Sequence, residues 1–301
     1  MAVIVPCAIR LGATVTSRRR RGVVFWLLRR SCVPWLVRRT VQRRRLTILV
    51  YHNPPAVVVE RHLALLRRLY KVVSLREYVD GHTLPSRPLV VTLDDGYAEN
   101  FALRELFTRF SVVPTIFVCT GIVGTQRGFW FRNVDDVDRL RRLPEHERIA
   151  ALAAAGFNPD ADGEVREALS DQEVRDLIGT ADIQPHTVTH PILPRCTGEQ
   201  AEAEIVDSKR HLEERFDLDV YALAYPNGEY TEREAFLARQ AGYRCAVAVG
   251  GRLNDGTVDP YRLRRIAVDD HDGLDELVVK ASGLWGWVER VTRRRVASAS
   301  G

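Results

Sequence analysis

PLVVTLDDGY, residues 88–97, sets a short apolar run against two adjacent carboxylates and a glycine. A continuous apolar stretch of this length, bounded by turn residues, reads as a strand buried on both faces. Val90–Leu93 is that strand, and Asp94 and Asp95 stand at its carboxyl end. Neighbouring ionised carboxylates repel, and desolvation at a strand end worsens the repulsion. One reading is a solvated Asp-Asp-Gly turn. The other is a divalent cation held by one carboxylate, with its neighbour free to act as a base.

Outward from this point, strand and helix patterns alternate. Strands are predicted at Leu46–Tyr51, Pro114–Cys119, Ala222–Tyr225, Cys245–Val249 and Leu263–Val268. Helical spacing falls at Glu60–Tyr70, Glu99–Phe110, Glu199–Phe216 and Glu232–Ala241. Ser170-Asp-Gln-Glu173 has the form of a capping box ahead of Val174–Ile178. Residues 130–165 are charged and loosely periodic, so they read as a helical insertion over the main domain, with Trp130 and Phe131 shaping a substrate cleft. The alternation is that of an α/β fold with a parallel sheet or barrel, whose sites gather at the carboxyl ends of the strands.

A chain of 301 residues with 46% apolar and 28% charged side chains is ordinary globular material. Its five cysteines are scattered and never form a CxxC pair, which argues against a disulfide framework and a cysteine zinc site. The charge is uneven. Residues 1–45 hold 12 arginines and no acid, while the remaining 32 basic and 39 acidic residues leave the body at −7. The basic pI therefore describes an arm. Its apolar run, Gly22–Leu28, is too short to span a bilayer, and no small-x-small cleavage site follows it. Trp26, Trp35 and leucines among arginines fit a helix lying on an anionic membrane surface, and a solvated basic tail is the alternative. Arginine excess favours the cytoplasmic side, so the expected location is cytoplasmic or peripheral at the cytoplasmic face of the membrane. No nucleic-acid reader motif accompanies the charge, so no specific nucleic acid is expected as a partner.

Three further clusters carry chemistry. His186-Thr-Val-Thr-His190 spaces two imidazoles so that both can face one ion. With one carboxylate they make three ligands and an open position, the count of a catalytic zinc site; a surface histidine pair is the bland alternative. Ala224-Tyr-Pro-Asn-Gly228 fixes a turn that can present a backbone N–H, as an oxyanion hole requires, although ordinary turns look the same. Tyr51-His52 ends the first strand, and His271 lies among three aspartates; either histidine could serve as a general acid or be a simple loop residue.

With these clusters in view, about residues 46–270 resemble the polysaccharide deacetylase family, carbohydrate esterase family 4. TLDDGY resembles its first motif, with Leu93 where Phe is usual; HTVTHP resembles the second, and AYPNG the third in a variant without the leading arginine. PTIFV, GFW and YRLRRIAV match connecting segments. The resemblance implies an irregular (β/α)7-type barrel that removes N-acetyl groups from an N-acetylated glycan. It implies Asp94 as catalytic base, with Asp95, His186 and His190 holding a divalent metal, zinc by preference. The Asn227 N–H would bind the oxyanion. VYHNPP resembles the start of a subgroup that takes its acid from the first strand, which favours His52 over His271. An O-acetyl esterase and a degenerate carbohydrate-binding member are the competing readings. Two departures stand out: Gln184-Pro185 replaces a small pair and is expected to reshape the pocket, and the missing arginine leaves Asp94 needing another orienting partner. The expected organisation is a basic arm at 1–45, a catalytic domain at 46–290 and a disordered tail at 291–301.

Overall fold

The computed structural model describes residues 15–132 and 134–290, with side chains from residue 21 onward. The first 14 residues of the arm and the expected tail at 291–301 lie outside the described residues.

Eight parallel strands form the sheet: β1 (Thr47–Tyr51), β2 (Lys71–Val72), β3 (Pro88–Leu93), β4 (Thr115–Val118), β5 (Asp182–Pro185), β6 (Ala222–Ala224), β7 (Cys245–Val249) and β8 (Leu263–Ala267). Seven run in the order β5-β4-β3-β1-β8-β7-β6, and β2 attaches to β3 off this path. The seven curl into a nearly closed (β/α)7-type barrel ringed by helices. β1 and β3 are buried at every position, as strands covered on both faces must be.

The barrel does not close by backbone pairing between β5 and β6. Side chains join that seam. Gln184 Oε1 accepts from the Tyr221 and Ala222 N–H groups at 3.0 and 2.9 Å. Its Nε2 donates to Asp182 Oδ1 at 3.0 Å and to the Asp219 carbonyl at 3.3 Å. Gln184 was expected to reshape the pocket; instead its side chain is buried in the seam and supplies the acceptor that two backbone donors of β6 would otherwise lack.

Most predicted elements appear with ends shifted by a residue or a few. The capping box at Ser170 and Glu173 is present and starts a helix at Asp171–Leu177. Glu99–Phe110 is instead a 3₁₀ segment, Ala98–Leu103, followed by a helix at Arg104–Phe110. Within 130–165 there are two short helices, Val137–Leu140 and Glu145–Ala154. Trp130 and Phe131 are buried.

The arm is a helix at Val15–Arg30, a second at Val33–Arg39 and a short turn leading into β1. It packs on the helix Leu274–Ala281, which has no counterpart in the sequence reading.

Candidate active site

Every site segment hangs from the carboxyl end of a strand by an extension of the ladder. The Asp94 N–H donates to the Tyr51 carbonyl, His186 to Val118, and Tyr225 to Val247. Asp94 and Asp95 leave β3, His186 and His190 leave β5, Asn227 follows β6, and His52 follows β1. The ends of four strands thus converge on one place.

The turns that aim these residues are conformationally costly. Seven non-glycine residues have positive φ among the described residues. Ser111 and Asp217 are ordinary left-handed helix ends. Four others lie in the site segments: Asp95 at 73°, Thr187 at 66°, His190 at 59° and Asn227 at 55°. Such conformations cost about 1–3 kcal/mol each and persist where surrounding structure imposes them. Two glycines permit the same turns. A Cβ on Gly96 would come 2.7 Å from Val118 Cγ1, and one on Gly228 would come 2.3 Å from the Val249 nitrogen.

The two aspartates have different partners. Asp94 receives a bidentate pair from Arg265, with Nη1–Oδ1 at 2.6 Å and Nη2–Oδ2 at 2.7 Å. Arg265 is wholly buried on β8 and also donates to Thr92 Oγ1 at 3.2 Å. Burial alone would lift the Asp94 carboxyl, but the guanidinium, with His186 nearby, holds it below the ordinary carboxylate value. Asp95 is equally buried, and its Oδ1 has no hydrogen-bond partner among the described residues. Burial pushes its carboxyl up, and the Asp94 charge adds to the shift.

That orphaned oxygen faces two imidazoles. His186 Nε2 lies 3.7 Å and His190 Nε2 3.5 Å from Asp95 Oδ1. One ligand atom from each of the three residues falls within 4.8 Å of the others. His186 Nδ1 is 2.8 Å from the Ala224 carbonyl, which can only accept; Nδ1 therefore carries a proton, and Nε2 is the nitrogen turned toward Asp95. His190 is held well below its ordinary pKa by burial, with the neighbouring His186 adding to the effect, so its own ring is neutral. A buried acceptor without a donor among the described residues, facing two imidazole nitrogens, fits a divalent cation.

The loop between the two histidines is held from outside. Glu204 accepts from the Val188 and Thr189 N–H groups at 2.7 and 3.0 Å and from the Thr189 hydroxyl at 2.5 Å. Trp130 Nε1 donates to the His190 carbonyl at 2.9 Å, and the Phe131 ring lies 4.7 Å from the His190 ring. Arg148, ion-paired with Glu145, covers Trp130 at 4.3 Å. The 130–165 insertion therefore braces a ligand loop.

His52 is half-buried, and its carbonyl accepts from Asn100 Nδ2 at 3.1 Å. Asp270 accepts from the His52 and Asn53 N–H groups at 3.4 and 3.2 Å. A charge on His52 would act on Asp94, Asp95 and His190. His271 is exposed on the loop after β8. Sequence reasoning missed Arg265, Glu204 and Asp270. Arg265 alone left a signal, a charged residue inside the apolar strand of YRLRRIAV.

A family model for polysaccharide deacetylase matches residues 81–246, more than half of the chain and all three motif segments. The chain belongs to the polysaccharide deacetylase family. A Bacillus subtilis member, YxkH, itself assigned only provisionally as a polysaccharide deacetylase, is 22% identical over 244 residues, covering 76% of this chain and 74% of that one. Among solved structures, the Streptococcus pyogenes deacetylase PplD in complex with acetate superposes with a TM-score of 0.60 at 17% identity, covering 79% of this chain and 98% of that one. The de-N-acetylase from Aggregatibacter actinomycetemcomitans gives 0.58 at 15% identity, over 78% and 99%. IcaB from Ammonifex degensii gives 0.59 at 17%, over 80% and 97%. The chain thus shares the barrel with these three structures across nearly their whole length.

Proposed function

We propose that the chain is a metal-dependent hydrolase that removes N-acetyl groups from a sugar in a polysaccharide or lipid-linked saccharide. The observation that carries this reading is the orphaned Asp95 oxygen between two imidazole nitrogens, beside a second aspartate kept ionised by Arg265.

Asp95, His186 and His190 would hold the cation, and two nitrogens with one carboxylate oxygen suit zinc. Once bound, zinc supplies a Lewis acid for the acetyl oxygen and lowers the pKa of a bound water to about 7. Asp94 accepts the proton of the attacking water. Each of its oxygens has one lone pair engaged by Arg265 and another free, so the bidentate pair orients the base without blocking it. The Asn227 N–H, on a left-handed turn fixed by Gly228 against Val249, would bind the developing oxyanion. Removing one such donor costs about 10²–10³ in rate. His52, held by Asp270 and Asn100, protonates the leaving nitrogen.

An O-acetyl ester would use the same residues. The amide is favoured because an amine leaves only when protonated, which gives a half-buried histidine at the site a task. The likeness to a de-N-acetylase supports the same choice. A carbohydrate-binding member without activity would have no use for an ionised aspartate beside an intact ligand set. Acetate release from matched panels of N-acetylated and O-acetylated glycans, with and without chelator, tests the proposal. Chelator-sensitive release from the N-acetylated panel is expected; release from the O-acetylated panel alone, or release that chelation leaves untouched, refutes it.

A further inference from the structure

We propose that the helical segment 15–45 docks the enzyme on an anionic lipid surface. The inference is independent of the reaction.

One face of the arm is committed to the barrel. Phe25 is fully buried, with its ring 4.4 Å from that of Trp285. Arg29 donates to Asp275 Oδ1 at 2.5 Å, and Arg21 to Asp269 Oδ2 at 3.4 Å. These contacts fix what points away. At about 100° per residue, Val23, Leu27 and Arg30 lie on the side opposite Phe25, with Trp26 on the flank. Val23 is 57% and Leu27 55% exposed. The second helix repeats the arrangement: Trp35 and Leu36 are each 52% exposed, while Pro34 and Arg38 are buried. A surface helix ordinarily turns its polar face to water; here large apolar side chains stand on the outward face among arginines.

The charge identifies what meets that face. Residues 15–45 carry 11 arginines and no acid, against a body at −7. Guanidinium groups lie over both exposed indoles of the arm, Arg30 at 4.1 Å from the Trp26 ring and Arg39 at 5.3 Å from the Trp35 ring. Tryptophan beside arginine is the composition of a membrane–water boundary, where rings enter the headgroup layer and cations meet phosphate. A nucleic acid would answer the arginines but not the apolar side chains. The acidic body of a second copy would answer only the arginines as well. Among the described residues no helix is long and apolar enough to cross a membrane, so the segment would lie on the surface. Asp269 follows β8, so the Arg21 end of the arm sits at the carboxyl ends of the strands.

Cosedimentation of the full chain with vesicles tests this, comparing phosphatidylcholine alone with phosphatidylcholine containing phosphatidylglycerol. Anionic vesicles should bind at least about 10-fold more strongly. The double variants Leu27→Ser/Trp35→Ser and Arg30→Glu/Arg39→Glu should each lose about 10-fold or more, with circular dichroism unchanged. In the unaltered protein, brominated anionic lipid should quench tryptophan fluorescence, a readout independent of how the variants fold. Undiminished binding by Leu27→Ser/Trp35→Ser, absence of quenching, stronger binding to duplex DNA than to vesicles, or dimerisation without vesicle binding would each overturn the proposal.

Discussion

Arg265 explains how two adjacent aspartates share a buried strand end. It neutralises Asp94 through two hydrogen bonds, and Asp95 is left for the cation. Arg265→Lys keeps the charge but loses the planar fork that orients the carboxylate. The expected outcome is a fall in kcat/KM of about 10² or more with zinc content intact, since none of the three ligands is touched. Retained kcat/KM would show that orientation of Asp94 is unimportant. Arg265→Ala leaves an unpaired buried charge, and chemical denaturation should show a loss of about 3–5 kcal/mol. Asp95, His186 and His190 were legible in the sequence because two imidazoles at that spacing, with an acid at a strand end, have few competing explanations. Arg265 was not, since its pairing spans 171 positions of chain. Only the folded barrel brings β8 beside β1 and so within reach of the end of β3.

Among the elements, β5 and the seam it borders are the least readable. Asp182-Ile-Gln-Pro185 has a poor strand composition, and its single strand partner is β4. β2 is two residues long and leaves no periodicity. The long apolar strands and the amphipathic Gly198–Phe216 helix were legible because their patterns run through several turns or a whole buried face. The seam also bears on function, because one of its links is the His186 Nδ1–H donating to Ala224 of β6. Gln184→Ala would strip the acceptor from two buried N–H groups, at about 1–3 kcal/mol each. Thermal unfolding should show a lower midpoint, and competition with a chelating dye should show weaker zinc binding as β6 moves from His186. An unchanged zinc affinity would separate the seam from the ligand geometry.

At the scale of the molecule, the barrel supplies rigid strand ends that a cation held by Asp95, His186 and His190 would tie together. Zinc should raise the melting temperature of the chelated protein, as any ligand specific to the native state does, by about 2.7 kcal/mol equivalent at a hundredfold excess over Kd. The increment should depend on pH in a definite direction. Burial raises the Asp95 carboxyl, so in the cation-free protein it favours folding while protonated and opposes it once ionised as pH rises. Zinc needs the ionised form, so proton and cation compete. The increment should be full at neutral pH and shrink as pH falls toward the raised Asp95 value; a constant increment would contradict Asp95 as a ligand. The arm's packing on the Leu274–Ala281 helix was not legible, since it depends on a single buried ring and ion pairs to distant acids. The division of labour between Asp94 and Asp95 is tested most directly by measuring zinc content and acetate release together on Asp95→Ala and Asp94→Asn. Asp95→Ala should lose zinc and activity together, and Asp94→Asn should hold one zinc per chain yet release no acetate; zinc retained by Asp95→Ala, or normal turnover by Asp94→Asn, would contradict it.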